Sequence, residues 1–200
     1  MKFRGAEAIV ETIEWNGQTV VSKRRNKRGY RHPALEKRLV VERLRSESRI
    51  MERLLSQGVP VPAIFSVNTS DNSIFMEFIE GQTLERALRG KDFKEHLIRT
   101  AQLISMIHSL NVVHGDPTTS NFLVNDKIHA IDFGLSSISD DDEDRASDLR
   151  VFLESLDSHH SEINGRDTFL EAYSKGAASQ SVLEALKVLE LRGRYNLMRG

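Results

Sequence analysis

His114-Gly-Asp-Pro-Thr-Thr-Ser-Asn121 and the tetrapeptide Ile131-Asp-Phe-Gly134 set an aspartate, an asparagine five residues on, and a second aspartate eleven residues after that. Phosphoryl transfer from Mg-ATP needs such a set. One carboxylate orients the nucleophile, while an amide oxygen and a second carboxylate hold Mg²⁺, a hard cation, on the phosphates. Taken singly, each residue has an ordinary role: Asp116 opening a turn before Pro117, Asn121 capping a turn, Asp132 starting a loop before Gly134. The ordered spacing of all three marks Asp116 as the candidate catalytic carboxylate and Asn121 and Asp132 as candidate metal ligands. His114 reads as a support for the loop, and His108 as a core or helix-end histidine.

Outward from this stretch, Phe122-Leu-Val124 and Ile128–Ile131 predict a short hairpin turned at Asn125-Asp126. Asn121 and Asp132 would then stand at its two ends, close in space. Upstream, Thr83 can cap a helix through Leu88, and Phe93 to Leu110 predicts a longer one with Leu97, Ala101, Ile104 and His108 along one face. Downstream, 146–156, 166–174 and 181–191 read as helices. The first eighty residues differ in character. Asn16-Gly17 is a two-residue hairpin signal between Ala8–Trp15 and Thr19–Val21. Leu35 to Ser56 has helical periodicity, ends before Gly58 and Pro60, and is followed by a strand pair at Ala63–Val67 and Ser73–Phe78. With a boundary at Glu80-Gly81, the expected fold is α+β in two lobes. Residues 1–80 give a small antiparallel sheet with one long helix, and residues 81–200 a mainly helical lobe with a basic C-terminal tail.

Composition narrows the function classes. With 39% apolar residues, 28% charged residues and a formal net charge of −1, the 200-residue chain reads as soluble and globular. It has no cysteine, which excludes disulfides, thiolate metal sites and cysteine nucleophiles. No apolar run approaches a membrane span and the N-terminus lacks a signal-peptide core, so a cytoplasmic protein is expected. The charge is segregated: ten Lys/Arg against two Glu from Lys23 to Arg45, an acidic block at Asp140–Asp144, and a basic end at Arg192, Arg194 and Arg199. Three such runs suggest docking surfaces for charged partners, against the simpler reading of solvated surface.

Val20-Val-Ser-Lys23 ends a strand-like run in a lysine, where kinases keep the lysine that reaches the α/β-phosphates. A glutamate on the following long helix should pair with it, and Glu47 suits that role. Lys27 competes with Lys23 on spacing alone, and Glu42, Glu47 and Glu52 could equally be surface charges. The glycine-rich loop is reduced to Gly5, so phosphate coverage by backbone amides would be incomplete or supplied elsewhere.

Gly5-Ala-Glu-Ala8, Tyr30-Arg-His-Pro-Ala-Leu-Glu36, Met76-Glu-Phe-Ile-Glu-Gly81, His114-Gly-Asp116, Thr118-Thr-Ser-Asn121, Ile131-Asp-Phe-Gly-Leu-Ser136, Glu143-Asp-Arg-Ala-Ser-Asp-Leu149 and Arg192-Gly-Arg194 occur in one order along the chain. Together they resemble the small atypical kinase/ATPase subunit of the KEOPS (EKC) complex, in a compact form closer to its archaeal members. The resemblance implies that Lys23 is the ATP lysine and Glu47 its partner, and that Gly5 lies at the nucleotide. It further implies that Met76, Glu77, Phe78 and Ile79 form the hinge holding adenine, and that Asp148 ties a helix to the catalytic loop. Arg192 and Arg194 would belong to a tail that contacts tRNA. The implied cofactors are ATP and Mg²⁺. The implied partners are the threonylcarbamoyl transferase subunit, a small subunit on the N-lobe, and tRNA.

The activity so implied is ATP hydrolysis supporting threonylcarbamoyl-adenosine formation at position 37 of tRNA, with serine phosphorylation as a side capacity. Gly115 stands where regulated kinases have an arginine, and no Ala-Pro-Glu element follows Gly134. One departure is Pro117, where the family usually has leucine, which puts the aim of Asp116 and the loop's apolar anchoring in question. Two other readings share part of the pattern. A small-molecule phosphotransferase would need a large helical substrate insert, for which the 66 residues after Gly134 leave little room. A non-catalytic tRNA-binding scaffold would have no need of Lys23, Asp116, Asn121 and Asp132 together.

Overall fold

The computed structural model describes residues 2–4, 8–25, 33–176 and 179–197, with side chains left undescribed at 2–4, 33, 34, 36, 37 and 193–197. Gly5, Lys27 and Tyr30–His32 lie outside the described residues, and so does the side chain of Arg194. The chain divides into two compact units, Met1–Glu80 and Gly81–Gly200. The α+β class and the antiparallel sheet of the first unit are as expected from the sequence.

In the first unit, β1 (Lys2–Arg4), β2 (Ala8–Trp15), β3 (Gln18–Arg25), β4 (Ile64–Asn68) and β5 (Ser73–Glu77) form one antiparallel sheet in the order β1-β2-β3-β5-β4. Asn16 and Gly17 both have positive φ, at 49° and 78°, which gives the turn the twist that β2 and β3 require. Helix α1 (Pro33–Ser56) starts on a proline, whose fixed φ suits a first helical turn. It ends in a Schellman pair, with Val59 N donating to Leu54 O and Gly58 N to Leu55 O. Its buried stripe runs Val40, Leu44, Glu47, Ser48, Met51 and Leu54, at the spacing of one helix face. That stripe packs on β4 and β5. Glu47 is the one carboxylate in it, and such a position demands a cationic partner.

The second unit begins with β6 (Gln82–Thr83), α2 (Leu84–Ala87) and α3 (Phe93–Ser109). Next come β7 (Val112–Val113), a 3₁₀ turn at Thr119–Asn121, β8 (Phe122–Val124), β9 (Ile128–Ala130) and β10 (Ser137–Ile138). Helices α4 (Asp142–His159), α5 (Gly165–Ser174) and α6 (Ser179–Leu197) complete it. β6, β8 and β9 form one small antiparallel sheet, and β7 pairs with β10. Helix α3 packs on α5 and α4 on α6. Phe122, Phe152, Phe169 and Tyr173 form an aromatic column from β8 through α4 to α5, with successive ring centroids at 6.0, 4.3 and 6.5 Å.

Helices α4 and α6 extend well beyond the bounds expected from the sequence. Helix α4 starts at Asp142 rather than Ala146, so the acidic block is largely a helix start. Asp141 is its N-cap, accepting from Glu143 N at 2.8 Å, and Asp142, Glu143 and Asp144 fill the first turn. Acidic side chains are favoured there by the positive end of the helix dipole. Helix α6 continues past Leu191 through Arg192-Gly-Arg194 to Leu197, because one internal glycine costs only about 1 kcal/mol of helix propensity.

Candidate active site

Each unit carries one cluster of the expected residues. In the first unit, β3 alternation puts Lys23 and Arg25 on one face of the strand. Both side chains reach Glu47 on α1: Lys23 Nζ lies 2.5 Å from Oε1, and Arg25 Nη2 lies 2.6 Å from Oε2. Glu47 is 1% exposed, and Lys23 and Arg25 are buried with it. The alternative reading of Glu42, Glu47 and Glu52 as surface charges holds for two of them and fails for Glu47. Glu42 sits on the exposed face and pairs with Arg38 at 2.8 Å, Glu52 is exposed, and only Glu47 enters the core. Arg25 was missed by motif reading, although the two-residue repeat of a strand places it beside Lys23.

Of the residues expected at the adenine hinge, Met76 and Glu77 are the last two of β5. Met76 is buried opposite Val21. Glu77 is locked to Ala63 twice, its N donating to Ala63 O at 2.8 Å and its Oε2 accepting from Ala63 N at 3.1 Å. Phe78 and Ile79 continue beyond the strand, Phe78 being 42% exposed.

In the second unit the loop after β7 is built on backbone hydrogen bonds. Asp148, buried on α4, accepts from His114 N at 2.6 Å and from Gly115 N at 2.8 Å. Its Oδ2 also faces His108 Nε2 at 3.2 Å, and His108 Nδ1 meets the Tyr173 hydroxyl at 2.8 Å. A buried relay thus runs from α5 through α3 and α4 to the loop. Gly115 has φ +84°, and a Cβ there would collide with Leu135 O, so no side chain fits.

His114 Nδ1 accepts from Asp116 N at 3.3 Å, so Nε2 carries the proton donated to Ile131 O at 3.0 Å. Burial, opposed by Asp148, pushes the His114 pKa below its ordinary value, in keeping with this neutral tautomer.

Asp116 is half-buried and its pKa is pushed above the ordinary carboxylate value. Burial is the main cause, opposed by His114 and by the Asn121 hydrogen bond. Asn121 Nδ2 donates both to Asp116 O at 2.8 Å and to Asp116 Oδ2 at 3.1 Å. With its nitrogen committed in this way, the Asn121 amide oxygen is left for another partner. Asn121 O accepts from Ile131 N at 2.9 Å, and Phe122 pairs with Ala130, so Asp132 follows at the same end of the β8–β9 hairpin. Asp132 has φ 63°, an uncommon conformation for a non-glycine residue, and its Oδ1 accepts from Gly134 N at 3.3 Å. The donor set is oxygen only, and among the described residues no group of three or more His, Cys, Asp or Glu could hold a metal. Few protein ligands of this kind suit Mg²⁺, which keeps waters and phosphate oxygens in its shell.

Pro117 is buried and sits at the centre of a tight turn closed by Thr118 N donating to Asp116 O at 2.8 Å. An inverse γ-turn needs φ near the value proline imposes, so proline suits the geometry of the loop here. Ser155 on α4 holds the next residue, its Oγ accepting from Thr119 N at 3.1 Å. In the tail, Arg192 lies exposed on α6 and pairs with Glu143 of α4 at 2.6 Å. Among the described residues no helix is long and apolar enough to cross a membrane.

Residues 13–150 match the family model of the RIO domain. The chain is 40% identical over 193 residues to the EKC/KEOPS complex subunit BUD32 of Encephalitozoon cuniculi, covering 96% of this chain and 94% of that protein. It is also 40% identical over 197 residues to a probable bifunctional tRNA threonylcarbamoyladenosine biosynthesis protein of Methanoculleus marisnigri, of which it spans only 35%. In fold it resembles the Rio2 kinase of Chaetomium thermophilum, solved as an ADP/Mg²⁺-phosphoaspartate complex, with a TM-score of 0.71 at 14% identity over 98% of this chain and 70% of that one. The chain belongs to the RIO-domain family of kinase-like proteins, among the relatives of the EKC/KEOPS subunit BUD32.

Proposed function

We propose that this protein is an Mg-ATP-dependent atypical serine/threonine kinase/ATPase that supports threonylcarbamoyl-adenosine formation at position 37 of tRNA within a KEOPS-type assembly in the cytoplasm. The observation that carries this reading is the Asp116–Asn121–Asp132 arrangement. One amide holds the candidate base through its nitrogen, which leaves its oxygen for a cation, and a second carboxylate follows at the same end of the hairpin. The 40% identity to a KEOPS subunit over nearly its full length supplies the biological setting.

In this mechanism Asp116 orients the attacking water or serine hydroxyl and accepts its proton late. A carboxylate with a raised pKa is the better acceptor. Asn121 and Asp132 would hold Mg²⁺, whose chemistry when bound is neutralisation of charge on the phosphate oxygens. Lys23, oriented by Glu47, would engage the α/β-phosphates, and Met76–Ile79 would hold adenine through the backbone. His114 and Asp148 keep the loop in shape, and Arg192 and Arg194 would contact tRNA. The partners on this reading are a threonylcarbamoyl transferase subunit, a small subunit on the first unit, and tRNA.

ATP hydrolysis should be slow for the protein alone and faster with the transferase subunit and tRNA together. Asp132→Ala should lower the stimulated rate by roughly a hundredfold or more. Stimulated hydrolysis that survives Asp132→Ala would overturn the site assignment.

A further inference from the structure

We propose that Thr118 seats the attacking water beside Asp116, its hydroxyl oxygen accepting a hydrogen bond from one water proton while Asp116 accepts the other. This rests on the reading above, in which Asp116 orients the nucleophile for ATP. The Thr118 side chain is not used as its position would suggest. Thr118 immediately precedes the 3₁₀ turn, where a threonine hydroxyl commonly accepts a backbone N–H as a cap, and it makes no such bond. Asn121 N donates to the Thr118 carbonyl instead, at 2.9 Å. Among the described residues Thr118 Oγ1 meets only Ser120 Oγ, at 3.0 Å.

The loop ties this residue to the site. Thr118 N donates to Asp116 O at 2.8 Å across the Pro117 turn, and Thr118 O accepts from Asn121 N, so its backbone is bonded to the proposed base and to a proposed metal ligand at once. Thr119 is buried, with its Oγ1 3.1 Å from Ser155 Oγ on α4. Thr118 and Ser120, on either side of it, are half-buried and exposed, and their hydroxyls meet on the solvent side of the loop. Asp116 keeps a carboxylate oxygen for the nucleophile. Its Oδ2 accepts from Asn121 Nδ2, and among the described residues Oδ1 has no hydrogen-bond partner.

Two hydroxyls at this distance use one proton between them. With Thr118 donating it to Ser120, the remaining lone pair of Thr118 Oγ1 is left to accept from the water. In hydrolysis the water oxygen bonds to the γ-phosphorus as the bond from that phosphorus to the bridging oxygen breaks. ADP leaves with the electron pair, the proton held by Asp116 passes to that carboxylate, and the proton held by Thr118 stays on the phosphate released. A serine hydroxyl has a single proton, which Asp116 takes, so it offers Thr118 nothing to accept. The seat therefore favours hydrolysis over transfer to serine, and that separates it from simple support of the loop.

The test compares wild type, Thr118→Val and Thr118→Ser as full chains with Mg²⁺ and labelled ATP. It measures phosphate release, phosphoserine formation on the protein itself and the ATP Kd, with thermal unfolding alongside. Thr118→Val keeps the side-chain shape and removes the hydroxyl. The expected result is phosphate release slowed about tenfold, the worth of one hydrogen bond in the transition state, with the ATP Kd within about twofold of wild type. Phosphoserine formation should hold, so the ratio of hydrolysis to transfer falls, and Thr118→Ser should recover most of the hydrolysis. Unchanged hydrolysis in Thr118→Val, equal loss of hydrolysis and serine transfer, or Thr118→Ser as slow as Thr118→Val would overturn the water seat and leave the proposed function standing. If wild type transfers no phosphate to serine, slower hydrolysis at constant Kd and its recovery in Thr118→Ser decide alone. A wild-type protein that binds no ATP would overturn both.

Discussion

Replacing Asp148 by asparagine should destabilise the protein far more than its isosteric character suggests. Both carboxylate oxygens are used by backbone donors, Oδ2 by His114 N at 2.6 Å and Oδ1 by Gly115 N at 2.8 Å, and the side chain is 2–3% exposed. An amide of the same shape offers one oxygen and one NH₂, so one of the two N–H groups must face another donor. His108 adds no second loss, because it can exchange tautomer, accepting at Nε2 and donating from Nδ1 to Tyr173. A stranded buried N–H costs about 2 kcal/mol, and the loss of charge on the remaining bond about 1 kcal/mol more. For a chain of this length a loss of about 3 kcal/mol should lower Tm by roughly 6–12 °C. Urea and thermal unfolding of Asp148→Asn against wild type provide the assay. Asp157→Asn serves as control, since its exposed pair with Arg166 at 3.3 Å should be worth no more than about 0.5 kcal/mol. If Asp148→Asn unfolded within about 1 kcal/mol of wild type, the two backbone bonds could not be what holds the loop.

Gly115→Ala should cost at least about 2 kcal/mol and lower turnover more than nucleotide affinity, because the new methyl collides with Leu135 O in a left-handed backbone conformation; unfolding midpoints and steady-state kinetics check both. Asp116→Asn should abolish hydrolysis yet raise stability at neutral pH. The pKa of Asp116 is raised on folding, so the folded state binds its proton more tightly, and stability present below the unfolded carboxylate pKa is lost as pH rises through the folded value. The stability gained by Asp116→Asn should therefore shrink towards zero as pH falls below the ordinary aspartate range, and a gain that grew on acidification would contradict the burial of this carboxylate.

The parts of the fold legible in the sequence were those encoded by local chemistry. Asn16-Gly17 fixed a hairpin because few other dipeptides tolerate two positive φ values. The apolar stripe of α1 was readable because a long helix repeats its pattern several times. Strands β6, β7 and β10 were not, since two residues cannot display a period. The start of α4 was placed four residues late, at Ala146 rather than Asp142, because charge alone does not distinguish a solvated patch from the first turn of a helix. In the site, Asp116, Asn121 and Asp132 stood out because their spacing spans a single turn and hairpin. Arg25, His108, Tyr173 and Ser155 did not, because each acts on a residue 22 to 65 positions away, and only folding brings them together.

The division has a chemical logic that bears on how the site should be judged. The groups proposed to touch ATP and magnesium must have fixed identities, so they recur as a motif. The groups that aim them need only reach, and they can be drawn from any neighbouring element. Asp116 illustrates the difference. Its carboxylate is what a motif search sees, but its direction depends on the Asn121 amide, and its peptide neighbours His114 and Gly115 hang from Asp148 on another helix. A chain retaining His-Gly-Asp and Asp-Phe-Gly but lacking an acceptor at the position of Asp148 would keep the reagents and lose their alignment. By the same reasoning Pro117, where the resembled family has leucine, is compatible with its surroundings, because the turn it occupies needs the φ it supplies and no amide proton from it.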